Sequence, residues 1–337
     1  MITAAIIGAS GYSGTELLRL LSARSDVQVK KVTAHTFAGK KVDELYPVFS
    51  GRVELEYEPF SARLDGVHVA FVALPPGEAM NIVPQLRPSV EHIIDLGGDF
   101  RLRPAPLYEQ YYHLRHSSAS MLDDAVYGLP ELFADRIKTA ALVANPGCYA
   151  TSAILALAPA LKQGLVSSEG IVVNSLSGVS GAGRTSTVEF SFSEVNENVR
   201  AYKIGMHQHT PEMQLILEQV AGKRVSLSFV PHLVPITRGI YTTIHASLHA
   251  GMSECDVIEL YQSFYHDAPF VRIKRQIPQV KDVLYTNFCD IGVAVDRHTN
   301  QLILISVIDN LVKGAAGQAV QNMNIMFGLP QERGLHF

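Results

Sequence analysis

The sequence predicts an α/β protein: a doubly wound parallel sheet followed by a second α+β domain with a mixed or antiparallel sheet. Three observations lead there. The chain opens on an apolar strand that runs through a glycine turn into a leucine-rich helix. Strand and helix signals then alternate through the first part, as a parallel sheet with crossover helices requires. Beyond Cys148 the strand signals crowd together at hairpin spacing. With 337 residues the chain exceeds what one core normally supports. The chain divides into a Rossmann-like first domain at 1–147, a second domain at 148–312, and a C-terminal helix, 313–337, returning to the first domain.

Taken in order, Thr3-Ala4-Ala5-Ile6-Ile7 reads as a buried strand, followed by Gly8-Ala9-Ser10-Gly11-Tyr12-Ser13-Gly14 and a helix with leucines at 17, 18, 20 and 21. Val27 to His35, Val67 to Leu74 and His92 to Leu96 are further strands, the second running into Pro75-Pro76-Gly77 and a helix from Glu78. Ala153 to Ala158 is a buried helix opened at Cys148. Ile171 to Leu176, Ser226 to Val230, Ile240 to Leu248, Asp290 to Val295 and Leu302 to Ile308 read as strands, the last two as a hairpin across Asp296 to Asn300. The final helix, Gly314 to Phe327, carries small and polar residues on one side, a face suited to packing near a cofactor.

Strand, glycine turn and helix together form a dinucleotide fingerprint, here spaced G-x-x-G-x-x-G. Gly8, Ser10, Gly11, Tyr12, Ser13 and Gly14 form the expected pyrophosphate turn, since glycines admit the phosphates and the helix N-terminus receives their charge. Pro75 lies at another strand end expected to face the cofactor. A dinucleotide site that takes NAD places Asp or Glu after the second strand, about 20 residues past the last glycine. This chain has Thr33, Ala34, His35 and Thr36 there, with Lys40 and Lys41 beyond. Nothing in that stretch repels a 2′-phosphate, so the cofactor reads as NADPH/NADP+, with His35 beside it.

Composition narrows the class. Hydrophobic residues make up 47% and charged residues 18%, which suits strands buried on both faces. A net charge of −4 leaves no basic footprint for nucleic acid. No apolar run reaches transmembrane length and no export signal is evident, so no membrane partner is expected. Three cysteines, at 148, 255 and 289, show no metal-like spacing and point to a reducing compartment, with the cytoplasm as the simplest address. The apolar content of the second domain predicts a covered sheet face and hence a homo-oligomer, dimer or tetramer.

Cys148 is the candidate nucleophile. It follows Asn145-Pro146-Gly147 and starts a helix, where unpaired N–H groups and the dipole favour a thiolate and can hold an oxyanion. The alternative at this point is a small buried cysteine that only packs. A proton shuttle is offered by His207-Gln208-His209-Thr210-Pro211-Glu212, two histidines at i, i+2 on a segment expected to be extended, with Glu212 able to orient one of them. Residue chemistry alone does not separate His207 from His209. No further ligand spacing supports a metal there. For an anion, Arg101 follows Gly97-Gly98-Asp99-Phe100, and Arg184 closes Ser177-Gly178-Val179-Ser180-Gly181-Ala182-Gly183. Either arginine alternatively caps a carbonyl or pairs with Asp99 or Glu189.

The glycine turn, the segment Asn145 to Thr151, the segment Gly178 to Arg184 and the segment His207 to Glu212 occur in an order that resembles the N-acetyl-γ-glutamyl-phosphate reductases, NADPH enzymes of arginine biosynthesis. Tyr127-Gly128-Leu129-Pro130-Glu131 and Asp309 to Gln318 match as well, so the resemblance covers essentially the whole chain, and the length suits the longer class. The wider group includes aspartate-semialdehyde dehydrogenase. The resemblance implies Cys148 and His207 as catalytic residues and Asn310 and Gly314 at the nicotinamide. It implies Arg101, Asn145, Ser180, Arg184, His209 and Glu212 around a small acyl-phosphate substrate. It also implies a thioester on Cys148, reduced by hydride and protonated from His207. Two positions depart: Gln208 stands where the family often has arginine, and no arginine follows the second strand. Competing readings are a reductase of an aminoadipyl or aspartyl phosphate, a non-catalytic NADP-binding regulator, and a scaffold protein.

Overall fold

The computed structural model describes residues 1–184, 187–249 and 251–335. The chain forms two compact units, one of Met1–Pro146 with the stretch from Ala315 onward, the other of Gly147–Gly314.

The first unit begins with β1 (Ile2–Ile7), α1 (Tyr12–Ser22), β2 (Val27–Thr33), the short α2 (Val42–Leu45), β3 (Tyr57–Glu58) and β4 (Val69–Val72). It continues with α3 (Ala79–Leu86), β5 (His92–Asp95), α4 (Ala105–Tyr112), β6 (Ala125–Tyr127), α5 (Pro130–Ile137) and β7 (Leu142–Ala144). The strands form one sheet in the order β3-β2-β1-β4-β5-β7-β6, every pairing parallel. Val69 to Val72 are all buried, the continuous apolar run of a strand covered on both faces. In α1, Leu17, Leu18, Leu20 and Leu21 are buried at helical spacing, while Tyr12 and Arg19 face solvent. The strand order reverses between β1 and β4, so the crevice for a ligand opens at their carboxyl ends.

The second unit contains α6 (Cys148–Lys162), β8 (Ile171–Ser177), the short α7 (Phe192–Val195), β9 (Arg200–Ala201), α8 (His209–Ala221) and β10 (Leu227–Leu233). It ends with β11 (Ile240–Ser247), α9 (Glu254–Phe264), β12 (Val271–Lys274), β13 (Cys289–Asp296) and β14 (Gln301–Ile308). Its sheet, β12-β13-β14-β11-β8-β10-β9, is mixed: β8 with β10 and β12 with β13 run parallel, the other pairs antiparallel. The expected hairpin is β13–β14, pairing Cys289 with Ile308 at one end and Asp296 with Gln301 at the other. Alternating burial in β8 and β11 turns one set of side chains inward, and α6 packs on β11 and β14 and against α8. From Tyr149 to Leu161 every residue of α6 is buried, so the helix is core throughout. Ser152 on α6 bonds Thr242 and Ser306 at 2.9 Å each, a buried hydroxyl ladder that pins the helix to β11 and β14.

The last helix differs from the regular one expected from Gly314. Val312–Ala316 is a π-turn, in which the Gly314 N–H reaches the Asp309 carbonyl five residues back. The buried Asp309 carboxylate takes the Leu311 and Val312 N–H groups, which widens the turn. Then α10 (Gly317–Met326) packs on α1, α5 and β5. Its polar side chains are buried ties: Gln321 to Glu131, Asn322 to Gly128 and Asn145, and Asn324 to the carbonyls of Gln331 and Arg333.

Candidate active site

In the first unit the glycine turn lies at the sheet's switch point. Gly8 has φ +85°, and a side chain there would run into the Ala73 carbonyl at the end of β4, so only glycine lets the two backbones meet. The Gly8 and Ala9 N–H groups bond the Thr33 carbonyl at the end of β2, and Tyr46 donates to the Ser10 carbonyl at 2.8 Å. Gly11 caps α1, whose first turn holds no acidic residue, which leaves the N–H groups of Tyr12, Ser13 and Gly14 suited to a pyrophosphate. Beyond β2, His35, Thr36, Lys40 and Lys41 are exposed, as is Pro75 beyond β4. These residues fit a dinucleotide: backbone donors at a helix end, and no carboxylate from Thr33 to Lys41.

Asn145, at the end of β7, is fully buried and bonded on every side. Its N–H reaches the Asp95 carbonyl at 2.8 Å, its Nδ2 the Ala315 carbonyl, and its Oδ1 accepts from Asn322. Arg101 is half-buried and directs Nε to the Asn145 carbonyl and Nη2 to the Leu96 carbonyl, each at 2.7 Å.

In the second unit Cys148 is the first residue of α6, half-buried, with Gly147 as N-cap in an extended conformation. The first turn of α6 has no acidic residue. Thr151 bonds back to the Gly147 carbonyl at 2.8 Å, which leaves the N–H groups of Cys148 to Ala150 at the helix mouth. The Gly147 N–H is taken by Glu212 Oε1 at 2.8 Å. Glu212 is 1% exposed and also sits in the first turn of α8, so one carboxylate serves the N-termini of two helices. A Cβ on Gly147 would overlap the His209 ring, and His209 Nε2 lies 4.0 Å from Glu212 Oε2.

His207 and His209 do come together, with ring centroids 4.7 Å apart. The backbone is not the expected extended one: Gln208 is helical, and α8 starts at His209. Pro211 and Glu212 in its first turn are the helix-start signal that overrides the i, i+2 pattern. Tyr149, Tyr202 and Phe229 wall the His207 ring at 5.3 to 5.7 Å, and the Tyr149 and Tyr202 hydroxyls are 2.9 Å apart. Burial, then charge on Cys148, push the Tyr202 phenol up to about 12. Burial, with His209 and Lys203 adding to it, holds His207 far below the usual imidazole range. Tyr202 was not among the sequence candidates; it precedes His207 by five residues in a segment with no periodic signal.

Around this centre, Ser180 accepts from Asn310 Nδ2 at 3.0 Å, and Asn310 Oδ1 accepts the Gly239 N–H at 2.7 Å. Gly314 abuts Cys148. Arg184 is exposed. Among the described residues no His, Cys, Asp or Glu side chains converge as a metal site, and no helix is long and apolar enough to cross a membrane.

Residues 3–140 match the NAD-binding domain of the semialdehyde dehydrogenases, and residues 148–310 match their dimerisation domain. The N-acetyl-gamma-glutamyl-phosphate reductase of Pelotomaculum thermopropionicum is 47% identical over 338 residues, 99% of this chain and 97% of that protein. The reductase of the same name from Symbiobacterium thermophilum is 46% identical, with the same coverage. Among solved structures, aspartate semialdehyde dehydrogenase II of Vibrio cholerae, complexed with ASA, superposes with a TM-score of 0.74 at 19% identity. That match covers 97% of this chain and 98% of that one, a likeness of fold.

Proposed function

Because the chain belongs to the N-acetyl-γ-glutamyl-phosphate reductase family, an oxidoreductase family with a nicotinamide-binding domain, we propose that it reduces N-acetyl-γ-glutamyl phosphate. The products are N-acetylglutamate semialdehyde and phosphate, NADPH is the reductant, and the setting is arginine biosynthesis in the cytoplasm. The observation that carries this reading is the thiol of Cys148 on the first residue of α6.

The Cys148 sulfur, as thiolate, attacks the acyl carbon; the C–O bond to phosphate breaks and phosphate leaves with the electron pair. The N–H groups at the mouth of α6 hold the carbonyl oxygen as it gains charge, and the wall of buried Tyr149 and half-buried Tyr202 limits water on that side. When bound, the reduced nicotinamide supplies a hydride to the thioester carbon. Gly8 and the N-terminus of α1 would hold its pyrophosphate, with His35, Lys40 and Lys41 near the 2′-phosphate. The tetrahedral oxyanion then expels the Cys148 thiolate and releases the aldehyde. Arg101 and Arg184 are the proposed phosphate contacts, Ser180 and Asn145 border the substrate, and Asn310 and Gly314 border the nicotinamide. The match to a dimerisation domain supports a homo-oligomer.

The test is the reverse reaction: NADP+ reduction followed at 340 nm with N-acetylglutamate semialdehyde and phosphate. Phosphate-dependent turnover that is lost in Cys148→Ser is the expected result. No turnover with this semialdehyde, or undiminished turnover in the variant, refutes the proposal.

A further inference from the structure

Asp309 is fully buried where β14 gives way to the π-turn Val312–Ala316, and its side chain caps that turn. Oδ1 accepts the Leu311 and Val312 N–H groups at 2.8 and 3.2 Å, the bonds an N-cap makes to the second and third residues after it. Oδ2 accepts the Tyr285 N–H at 2.7 Å. Backbone donors alone would leave this carboxylate with an uncompensated charge in the core, a strongly disfavoured state. Arg238 supplies the opposite charge. Its Nε lies 3.1 Å from Oδ2 and its Nη2 donates to Oδ1 at 3.2 Å, so the guanidinium fork spans both oxygens. The guanidinium carbon also stands 4.5 Å over the centre of the Tyr285 ring.

The next residue extends the same hold. The Gly239 N–H donates to Asn310 Oδ1 at 2.7 Å, and Asn310 Nδ2 donates to Ser180 at 3.0 Å. Gly239 has φ +109°, and a side chain there would overlap Val280, so the position admits only glycine. Two consecutive residues, Arg238 and Gly239, thus fix two consecutive side chains, Asp309 and Asn310, at the entrance to the π-turn.

That entrance decides the register of the turn. The Gly314 N–H reaches the Asp309 carbonyl, five residues back, where an α-turn would take it to Asn310. Gly314 packs so closely on Cys148 that a side chain there would overlap the cysteine. A return to α register rotates Gly314 about the turn axis and opens that contact. π-turns are rare and gather at functional sites.

We infer that Arg238 is a positioning residue for the nucleophile: it neutralises the Asp309 cap, the cap holds the π register, and the π register holds the Gly314 backbone against Cys148. The inference deepens the proposed reduction and rests on it for the effect on turnover. Arg238 acts through Asp309 and makes no contact of its own with the substrate. Lysine at this position keeps the charge but presents a single point in place of a planar fork.

The experiment uses the full-length protein and the variants Arg238→Met, Arg238→Lys and Tyr285→Leu. In the reverse reaction Arg238→Met lowers kcat by about 10²-fold, the loss that a slightly misplaced reacting group produces. KM for phosphate and for the semialdehyde stays within about threefold, since substrate binding is not what the residue provides. Arg238→Lys recovers part of kcat. Tyr285→Leu, at an exposed ring, removes only the stacking partner of the guanidinium and lowers kcat about two- to fivefold. It carries the test if Arg238→Met fails to fold. In protein labelled with 13C at the cysteine β-carbons, the Cys148 signal is the one absent from Cys148→Ser. That signal moves in Arg238→Met and returns toward its original position in Arg238→Lys, while the signal of exposed Cys255 stays fixed. A Cys148 signal that stays in place in Arg238→Met and Tyr285→Leu overturns the inference. So does a preserved kcat with a raised KM for phosphate, which would make Arg238 a substrate contact. The cysteine spectrum is read without substrate, so a failure of the proposed reduction shows separately, as absence of turnover in the wild type.

Discussion

A Cβ built on Gly314 stands 2.8 Å from the Cβ of Cys148. The glycine lies within the π-turn Val312–Ala316, where its N–H to Asp309 fixes its place, so the backbone of that turn forms a wall against the Cys148 side chain. Gly314→Ala forces either the turn or Cys148 to shift, at about 1–3 kcal/mol by overpacking. The expected outcome is a fall in kcat larger than the fall in thermal stability accounts for, together with a slower Cys148 alkylation. Paired kinetics and melting curves check it.

Cys148→Ser replaces the thiol proposed as nucleophile by a hydroxyl that the helix N-terminus cannot ionise at neutral pH. Turnover drops by roughly 10⁴-fold or more, as when a covalent nucleophile is removed, while NADPH quenching of intrinsic fluorescence persists with an unchanged Kd. A serine variant that retains wild-type rates rules out the thioester route.

Glu212 and Gly147 form a second separable pair. In Glu212→Ala the buried Gly147 N–H loses its acceptor, at about 1–3 kcal/mol, and the His209 ring loses its neighbouring carboxylate. Glu212→Gln keeps an oxygen for that N–H and should retain most of the stability. Urea unfolding of the two variants measures the difference. Equal loss in both would assign the effect to the charge and not to the bond.

Asp95 gives a pH signature. It is fully buried at the end of β5, with Oδ1 on the Gly97 N–H at 2.8 Å and no hydrogen-bond partner on Oδ2. Burial first, and Asp99 second, push its carboxyl up to about 7. Between about pH 4 and pH 7 the folded chain keeps a proton that the unfolded chain releases. Stability from this group therefore falls as pH rises through that window and stays reduced above it. Asp95→Asn removes the ionisation while keeping an acceptor for Gly97. Urea midpoints at pH 5 and pH 8 should lie closer together in the variant than in the wild type.

Cofactor choice tests the exposed loop after β2. Replacing Lys40 and Lys41 together by alanine should raise the KM for NADPH and leave that for NADH nearly unchanged, since only NADPH carries a 2′-phosphate. Equal effects on both cofactors would move the phosphate contact elsewhere.

What was legible in the sequence followed local pattern. Buried runs with glycine punctuation identify β1, the turn at Gly8 and α1, and the run Leu302 to Ile308 with its preceding turn identifies the β13–β14 hairpin. Strands β6 and β7, three residues each, are too short for periodicity to register, and β7 is placed by its pairing with β5. The start of α8 at His209 was hidden by the two histidines, although Pro211 and Glu212 announce it. The Glu212–Gly147 bond and the Tyr149–Tyr202 pair join segments more than fifty residues apart, and no local spacing encodes them. The π-turn depends on how Asp309 spends its carboxylate, which a helical pattern does not reveal.

The discontinuity of the first unit has a consequence for synthesis. Helix α10 supplies the side chains that tie Gly128, Glu131 and Asn145, and it covers part of α1, α5 and β5. A nascent chain that has completed β7 must wait for all of Gly147–Gly314 before that cover emerges. At ribosomal speed the delay is roughly ten to thirty seconds. During it the amino-terminal sheet stays open along one flank, a natural point for chaperone capture and for cleavage of stalled polypeptides. Premature termination near the end of the message would thus damage the part of the molecule that was made first.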